Sequence, residues 1–142
     1  MNKQKKYDNA YLRMAKVWGE LSYCKRRKVG ALIVKDKMII SDGYNGTPSG
    51  FENVCEDENH YTKWYVLHAE ANAIVQAAKN GVKVDGSEIH VTASPCYNCF
   101  KLIANAGIKI IYYDELYRDA RIIEREKEVG IELISLEDHA KG

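Results

Sequence analysis

Two short stretches, HAE at residues 68–70 and SPCYNC at residues 94–99, decide how this chain folds and what it could do. Together they supply one imidazole, two thiols and one additional carboxylate. One His and two Cys form the ligand set of a zinc ion whose fourth position stays open, whereas structural zinc usually takes four protein ligands. The sequence therefore predicts a zinc site with an open position and a carboxylate close to it.

The spacing of these residues suits hydrolytic chemistry. We predict that His68, Cys96 and Cys99 hold the zinc and that Glu70 acts as a general acid and base. Zinc lowers the pKa of bound water from about 15.7 to about 7, so that hydroxide is available at neutral pH. Pro95 suits the first turn of a helix, whose N-terminus favours thiolates. The pattern H-x-E … P-C-x-x-C is typical of zinc-dependent nucleobase deaminases.

Two plainer interpretations of the same residues are open. A C-x-x-C pair among alternating strands and helices is also typical of thioredoxin-like redox sites, although the upstream His-x-Glu would then be a coincidence. In a purely structural zinc site, Glu70 would be an ordinary carboxylate at a helix start. The three-ligand set with a carboxylate two residues from the His favours the catalytic interpretation.

Length, composition and charge restrict the class of protein. The chain has 142 residues, of which 46% are hydrophobic and 29% charged, and this fits one domain with a single core. Its net charge of +1 does not suit a dedicated nucleic-acid binder. No apolar run approaches the length of a membrane span, and residues 1–6 show no secretory signal. Four cysteines, two of them assigned to metal, indicate a reducing compartment, so we expect a cytoplasmic protein without nucleic-acid or membrane partners.

Hydrophobic periodicity predicts alternating helices and strands around the two stretches. The pattern predicts helices over residues 7–22, 67–79, 96–105 and 116–129, and strands over residues 29–34, 38–41, 89–93, 108–113 and 130–136. Residues 35–37 should form a hairpin turn, residues 43–50 a glycine-rich loop, and residues 51–65 an insertion that covers some other part of the molecule. This alternation predicts an α/β sandwich with a mixed or mostly parallel sheet.

Several further motifs carry a family resemblance. They are KVGA at residues 28–31, GYNGTPSG at residues 43–50, HAEANAI at residues 68–74 and NAGIK at residues 105–109. With them, from about residue 11 to about residue 134, the chain resembles deoxycytidylate (dCMP) deaminases of the cytidine deaminase superfamily. The zinc pattern is shared by the whole superfamily, whereas the glycine-rich loop and the ANAI continuation resemble the nucleotide enzymes.

The resemblance implies a fold, a reaction and its control. The fold would be a three-layer α/β/α sandwich of the cytidine deaminase type with a mixed sheet of about five strands, in a single zinc-dependent domain over residues 1–142. The reaction would be hydrolytic deamination of dCMP to dUMP and ammonia, which feeds dTMP synthesis. The enzyme would be a homo-oligomer, often a hexamer, that dCTP activates and dTTP inhibits. An allosteric site would involve the loop residues Gly46, Thr47 and Pro48.

The resemblance also implies which residues hold the substrate. Asn45 and Asn72 would contact the deoxyribose or position the base, although an Asn-Gly pair such as residues 45–46 is also a common turn. The substrate phosphate needs cations, and guanidinium groups offer it a planar fork. A tyrosine of the family touches the phosphate and corresponds to Tyr117. The candidate substrate residues are Asn45, Asn72, Arg26, Arg27, Lys28 and Tyr117.

Cys24 and Cys55 lie outside the catalytic pattern, as do His60 and His90. Cys24 and Cys55 are either free, partly buried thiols or, because some family members carry a second, structural zinc in this region, ligands of such a zinc together with His60. A fourth ligand is not evident, and the second zinc would pin the insertion. His90 lies in a predicted strand and is assigned to the core.

Three other functions compete with dCMP deamination. Deamination of adenosine in tRNA shares the zinc pattern, but the low net charge and the glycine-rich loop argue against it. Deamination of free cytidine or deoxycytidine would leave Arg26 and Arg27 without a role. A zinc-stabilised binding module without catalysis would have no use for Glu70.

Overall fold

The computed structural model describes residues 2–115 and 125–136, which form a five-stranded sheet with helices on both faces. The elements are α1 (Lys3–Gly19), β1 (Gly30–Lys35), β2 (Met38–Tyr44), α2 (Ala69–Lys79), β3 (Glu88–Ala93), α3 (Tyr97–Asn105), β4 (Ile110–Glu115) and β5 (Glu132–Ser135). The strand order is β2-β1-β3-β4-β5. Strand β1 is antiparallel to β2 and β3, whereas β3, β4 and β5 run parallel. The predicted mixed sheet is confirmed. None of the described helices combines the length and the apolar character needed to cross a membrane.

Strand β1 shows how one sheet serves two cores. Ala31 and Ile33 belong to the cluster that contains residues of α2 and α3, whereas Leu32 and Val34 pack against α1. Because successive side chains of a strand point to opposite faces, a continuous apolar run is buried on both sides. Helix α1 therefore forms one outer layer and the pair α2 and α3 the other, which confirms the three-layer sandwich.

His90 of β3 lies in the core beneath α1, as expected. Its side chain is fully buried, its ring stacks on Tyr112 with 4.5 Å between ring centroids, and Tyr11 packs against it at 4.8 Å. Its Nε2 lies 3.1 Å from a carboxylate oxygen of Glu88. The polar contact satisfies one ring nitrogen, whereas the buried Nδ1 atom has no hydrogen-bond partner among the described residues.

Helices α2 and α3 both begin at a predicted metal ligand. His68 is the N-cap residue of α2, and Cys96 is that of α3, directly after β3. The Cys96 sulfur accepts a hydrogen bond from the backbone N–H of Cys99 at 3.5 Å. In α/β sheets, ligands collect where parallel strands end, and α3 begins at the carboxyl end of such a strand.

The glycine-rich stretch differs from the prediction at its start. Residues 43 and 44 continue β2 and are not part of the loop, so the strand is three residues longer than predicted. A Cβ at Gly43 would lie 2.5 Å from the carbonyl oxygen of Ala69 and 2.6 Å from the backbone nitrogen of Ala73. Glycine is therefore needed here because the backbones of β2 and α2 approach closely.

The predicted hairpin turn is confirmed. Asp36 and Lys37 both have positive φ values, 51° and 65°, which a two-residue type I′ turn requires. The predicted helix over residues 116–129 lies largely outside the described residues, and Glu126–Glu128 form one 3₁₀ turn.

Candidate active site

The three predicted metal ligands lie together. The Nδ1 atom of His68 is 3.3 Å from the Cys96 sulfur and 3.4 Å from the Cys99 sulfur. All three ligand atoms lie within 4.8 Å of one another. In a tetrahedral zinc site, bond lengths near 2.1 Å to nitrogen and 2.3 Å to sulfur place such atoms about 3.6 Å apart. The donor set therefore fits zinc in its chemistry and in its spacing.

The two thiols differ in their affinity for protons. Its hydrogen bond with Cys99 lowers the pKa of the Cys96 thiol to about 3. The same hydrogen bond and burial raise the pKa of the Cys99 thiol well above its usual range. The Cys96 thiol therefore ionises first, and the Cys99 thiol keeps its proton. Because metal ligands must be deprotonated, metal binding would release this proton and would weaken as the pH falls.

Glu70 lies in the first turn of α2, beside the ligands. Its side chain is 4% exposed, and it lines the same cavity as His68 and Cys96. Burial raises the pKa of its carboxyl group to about 7. A carboxyl group that titrates near neutrality can both accept and return a proton, as a general acid and base must.

The cavity in front of the ligands has a volume of about 460 Å³. This volume lies in the range of small-molecule sites. The lining residues are Cys24, Arg26, Arg27, Val29, Asn45, Glu56, Tyr61, Thr62, Val66, His68, Ala69, Glu70, Ala93, Ser94 and Cys96. The structure therefore brings the predicted acid–base residue, two metal ligands, two arginines and one asparagine to a single cavity.

The arginines lie on one wall of this cavity. The guanidinium group of Arg27 forms an ion pair with Glu115 at the end of β4, and the Arg26 side chain is exposed. Lys28, the third cation of the run, is exposed and is not among the described residues that line the cavity. Two of the three cations predicted to hold phosphate therefore line the same cavity as His68 and Cys96.

The two predicted asparagines have different surroundings. The Asn45 side chain accepts a hydrogen bond from the backbone N–H of Val29 at 2.9 Å and donates one to the carbonyl of Arg27 at 2.7 Å. Asn45 thus lines the cavity and also fixes the segment that carries the arginines. The Asn72 amide donates to the carbonyl of Tyr44 at 2.8 Å. It joins α2 to β2, and it is not among the described lining residues.

The loop proposed for regulation is connected to the zinc site through the backbone. Gly46 and Leu67 exchange both backbone hydrogen bonds, at 3.0 and 2.8 Å. Leu67 directly precedes the ligand His68. Thr47 and Pro48 follow in the loop and are not among the described lining residues. The candidate phosphate ligand Tyr117 lies outside the described residues.

Cys24 and Cys55 differ from both expectations, because they form a disulfide with 5.1 Å between their Cα atoms. Neither is a free thiol, and in this oxidised state neither offers a thiolate to a second zinc. The carboxylate of Glu56, and not His60, lies within 4.8 Å of both sulfurs. The disulfide is also unexpected for a reducing compartment. It forms because the insertion folds back onto the segment before β1, a contact over 31 residues that no local pattern indicates.

Three residues of the insertion and the residue that follows it line the cavity, and sequence reasoning did not single them out. They are Glu56, Tyr61, Thr62 and Val66. The sequence indicated only that the insertion covers part of the molecule. Their positions depend on the fold of a segment without helical or strand periodicity.

Comparison with known proteins agrees with this geometry. Residues 5–115 match the family described as cytidine and deoxycytidylate deaminase zinc-binding region. The fold and the site define a hydrolytic deaminase built on an α/β/α sandwich. The chain belongs to the cytidine and deoxycytidylate deaminase family, which confirms the resemblance found in its sequence.

Three relatives illustrate how far the similarity extends. ComE operon protein 2 of Bacillus subtilis is 42% identical over 126 residues, which cover 82% of this chain and 65% of that protein. Deoxycytidylate deaminase of Enterobacteria phage T4 is 33% identical and is matched over 75% of this chain and 76% of its own. The crystal structure of dCMP deaminase from cyanophage S-TIM5, in complex with dCMP and dUMP, superposes with a TM-score of 0.87. It shares 45% identity over 95% of this chain and 98% of that chain.

Proposed function

We propose that this protein hydrolyses dCMP to dUMP and ammonia, and so supplies dUMP for dTMP synthesis. The observation that carries the proposal is a single cavity lined by two of the three clustered metal ligands, His68 and Cys96, by the buried carboxyl group of Glu70 and by two arginines. The cyanophage relative, 45% identical, is a dCMP deaminase whose structure contains dCMP and dUMP. We assign the zinc to His68, Cys96 and Cys99.

Glu70 carries the protons in the proposed mechanism. Zinc, when bound, supplies a hydroxide nucleophile at neutral pH. Glu70 takes the proton from the attacking water, donates one to ring nitrogen N3, and later protonates the departing amino group. Carbon C4 thereby gains an oxygen and loses ammonia, so that dCMP and water become dUMP and ammonia. The raised pKa of Glu70, about 7, suits transfer in both directions.

The arginines provide the binding site for the substrate phosphate. Arg27 is held at the cavity wall by Glu115 through its side chain and by Asn45 through its carbonyl. Arg26 follows the same wall, and both guanidinium groups offer the fork geometry that phosphate accepts. We further propose that Asn45 contacts the deoxyribose and that Tyr117 contacts the phosphate.

A side-by-side assay of ammonia release tests the proposed substrate. The zinc-loaded protein is given dCMP, deoxycytidine and dCTP at equal concentrations, and we expect dCMP to react fastest. Faster turnover of deoxycytidine would assign the enzyme to free nucleosides. If all three are left unchanged and adenosine in tRNA is deaminated instead, the dCMP proposal is wrong.

We also propose that dCTP activates and dTTP inhibits the enzyme through the loop of Gly46, Thr47 and Pro48. The hydrogen bonds between Gly46 and Leu67 support this, because a ligand on the loop would act on the residue next to His68. Coupling of this kind is typically worth about 1–3 kcal/mol. We expect a sigmoid dependence on dCMP that dCTP makes hyperbolic. A hyperbolic response insensitive to both nucleotides would contradict regulation.

A homo-oligomer, such as a hexamer, is part of the proposal. The insertion exposes Trp64 to 91% and also exposes Tyr61 and Phe51. The rings of Phe51 and Trp64 both pack against Tyr65, and a contiguous exposed patch of this kind marks an interaction surface. Light scattering after gel filtration gives the number of copies, and a monomer at all concentrations would exclude this part.

A second zinc remains a proposal for the reduced protein. Reduction of Cys24 and Cys55 would supply two thiolates beside Glu56, with His60 also in the insertion. We expect about two zinc ions per chain after reduction and one when the disulfide is intact. Equal zinc content in both states would contradict it.

We also propose a cytoplasmic location, where the Cys24–Cys55 disulfide would be reduced and Cys96 and Cys99 would stay free to hold the metal.

A further inference from the structure

Glu56 is a cavity residue without a role in the zinc site or in proton transfer. One of its carboxylate oxygens accepts hydrogen bonds from two consecutive backbone N–H groups, that of Lys25 at 3.0 Å and that of Arg26 at 3.2 Å. Successive N–H groups that converge on one point form an anion-binding turn. Bonds from such groups to a carboxylate are stronger than those to a neutral acceptor. The half-buried carboxylate therefore holds the backbone from which the Arg26 side chain projects.

The carboxylate is itself held in place by the insertion. The preceding residue, Cys55, is bonded to Cys24, which directly precedes Lys25. The Cys55 carbonyl accepts a hydrogen bond from the backbone N–H of Lys63 at 2.7 Å, and Glu56 pairs with Thr62 in an isolated bridge. Because the insertion holds Glu56 by these contacts, its carboxylate can restrict the backbone of residues 24–27.

This segment needs such contacts because it lies between α1 and β1 and belongs to neither. Its first residue is cross-linked to the insertion, its two middle residues are held by Glu56, and Asn45 holds the carbonyl of Arg27. The region that a long arginine side chain can reach is set by the position of its backbone, while its own rotamers cost further entropy when a ligand orders them. The positions that the Arg26 guanidinium group can reach therefore depend on the contact with Glu56, whereas Arg27 is held by Asn45 and Glu115.

We propose that Glu56 is a positioning residue that aligns Arg26, beside Arg27, with the substrate phosphate and so contributes to the preference for a nucleotide over a nucleoside. The inference rests on the proposed function, because it needs dCMP as the substrate. Two substitutions separate the hydrogen-bonding role of the Glu56 side chain from the effect of its charge. Glu56→Gln keeps a carbonyl acceptor for the two N–H groups, whereas Glu56→Ala removes it.

Steady-state kinetics with dCMP and with deoxycytidine test this role. We expect Glu56→Ala to raise the KM for dCMP about tenfold, the effect of losing two hydrogen bonds of ordinary strength. The kcat for dCMP should stay within about twofold, because the phosphate contact stabilises the bound substrate and the transition state alike. The kcat/KM for deoxycytidine should also stay within about twofold, because this substrate has no phosphate. Glu56→Gln should restore most of the affinity. Glu58→Ala is the matched control, since it removes the same charge from an exposed position of the insertion.

Several results would overturn the proposal. An equal loss with both substrates would show a general structural role, an unchanged KM would show no role, and a lower KM for dCMP would show that the carboxylate only repels the phosphate. If Glu56→Ala does not fold, Glu56→Asp keeps the charge but is one methylene short, and it must show the same selective rise. The wild-type protein in the same assay distinguishes failure of this inference from failure of the proposed function. Turnover of dCMP with an unselective Glu56→Ala variant rejects this inference alone, whereas no turnover of dCMP rejects the proposed function with it.

Discussion

Glu70 is a residue type that proteins seldom bury without a partner or a task. Its side chain is 4% exposed, and burial is the main cause that raises its pKa to about 7. An isolated carboxyl group near pKa 4 would remain ionised and would rarely return its proton at neutral pH. Glu70 lies two residues after His68 and lines the cavity. Proton transfer beside the metal ligands would explain why this carboxyl group is buried.

Replacing Glu70 separates metal binding from catalysis. Glu70→Gln keeps the shape of the side chain but removes its ability to transfer protons, so we expect kcat to fall by about 10²–10⁴-fold. Zinc content, measured by atomic emission, should be unchanged because Glu70 is not one of the three ligands. His68→Ala is the comparison that should lose zinc. Activity of Glu70→Gln within tenfold of the wild type would refute the proposed mechanism.

The arginines are expected to act on affinity and not on the chemical step. Arg27→Ala removes a charge-assisted contact to phosphate, so the KM for dCMP should rise by about 10- to 100-fold. The KM for deoxycytidine, which has no phosphate, should change little. Arg13→Ala, an exposed change on α1, is the matched control. Equal effects of Arg27→Ala on both substrates would remove Arg27 from the phosphate site.

At the scale of elements, the close contact between β2 and α2 positions the zinc ligand His68. Gly43 lets the two backbones approach, and the Asn72 amide bonds to the carbonyl of Tyr44 across the same contact. Helix α2 begins at His68, so any displacement of the helix moves this ligand relative to the thiols of α3. The position of the metal ligand His68 therefore depends on the packing of α2 against β2.

A methyl group at Gly43 tests this dependence. Gly43→Ala forces apart backbone atoms that cannot rotate away, so we expect a loss of stability of about 1–3 kcal/mol or more and weaker zinc binding. Urea unfolding and zinc titration measure the two effects. Gly46→Ala is the control for stability, because a Cβ at residue 46 meets no described atom within 4 Å. Unchanged zinc affinity in Gly43→Ala would show that the helix is held by other contacts.

The parts of the site that could be predicted from sequence are those set by short spacing. His68 and Glu70 are two residues apart, and Cys96 and Cys99 are three apart at the start of a helix. Their residue types indicate zinc binding and proton transfer, and the alternation of strands and helices places each pair at the start of a helix. The side chain of Asn72 could not be predicted, because a helix presents several faces and its partner is the carbonyl of Tyr44 on another element.

For the molecule as a whole, the unpredicted part is the fold of the insertion. The contact between Cys24 and Cys55 closes 31 residues of chain, and it determines where Glu56 meets the segment before β1. Residues 51–65 show no period of two or 3.6 from which such a contact could be inferred. Long-range contacts of irregular segments depend on the complete fold, which a local pattern does not contain.

The disulfide should make a measurable contribution to the stability of the whole domain. Removing a cross-link between residues 31 apart restores entropy to the unfolded chain and should cost about 3–4 kcal/mol. Urea unfolding of the oxidised wild type and of the double variant Cys24→Ser/Cys55→Ser measures this difference. The reduced, zinc-stripped wild type should resemble the stripped double variant. Identical unfolding midpoints for the oxidised protein and the double variant would contradict a role for the cross-link.

The exposure of Trp64 gives the insertion its own optical signal. The chain has two tryptophans, of which Trp64 is 91% exposed, whereas Trp18 is 37% exposed and lies edge-on to Tyr44. Trp18→Phe would leave a single indole on the segment that lines the cavity. Its emission wavelength and its quenching by acrylamide would then follow that segment, without an attached dye, as nucleotides bind and copies of the chain associate.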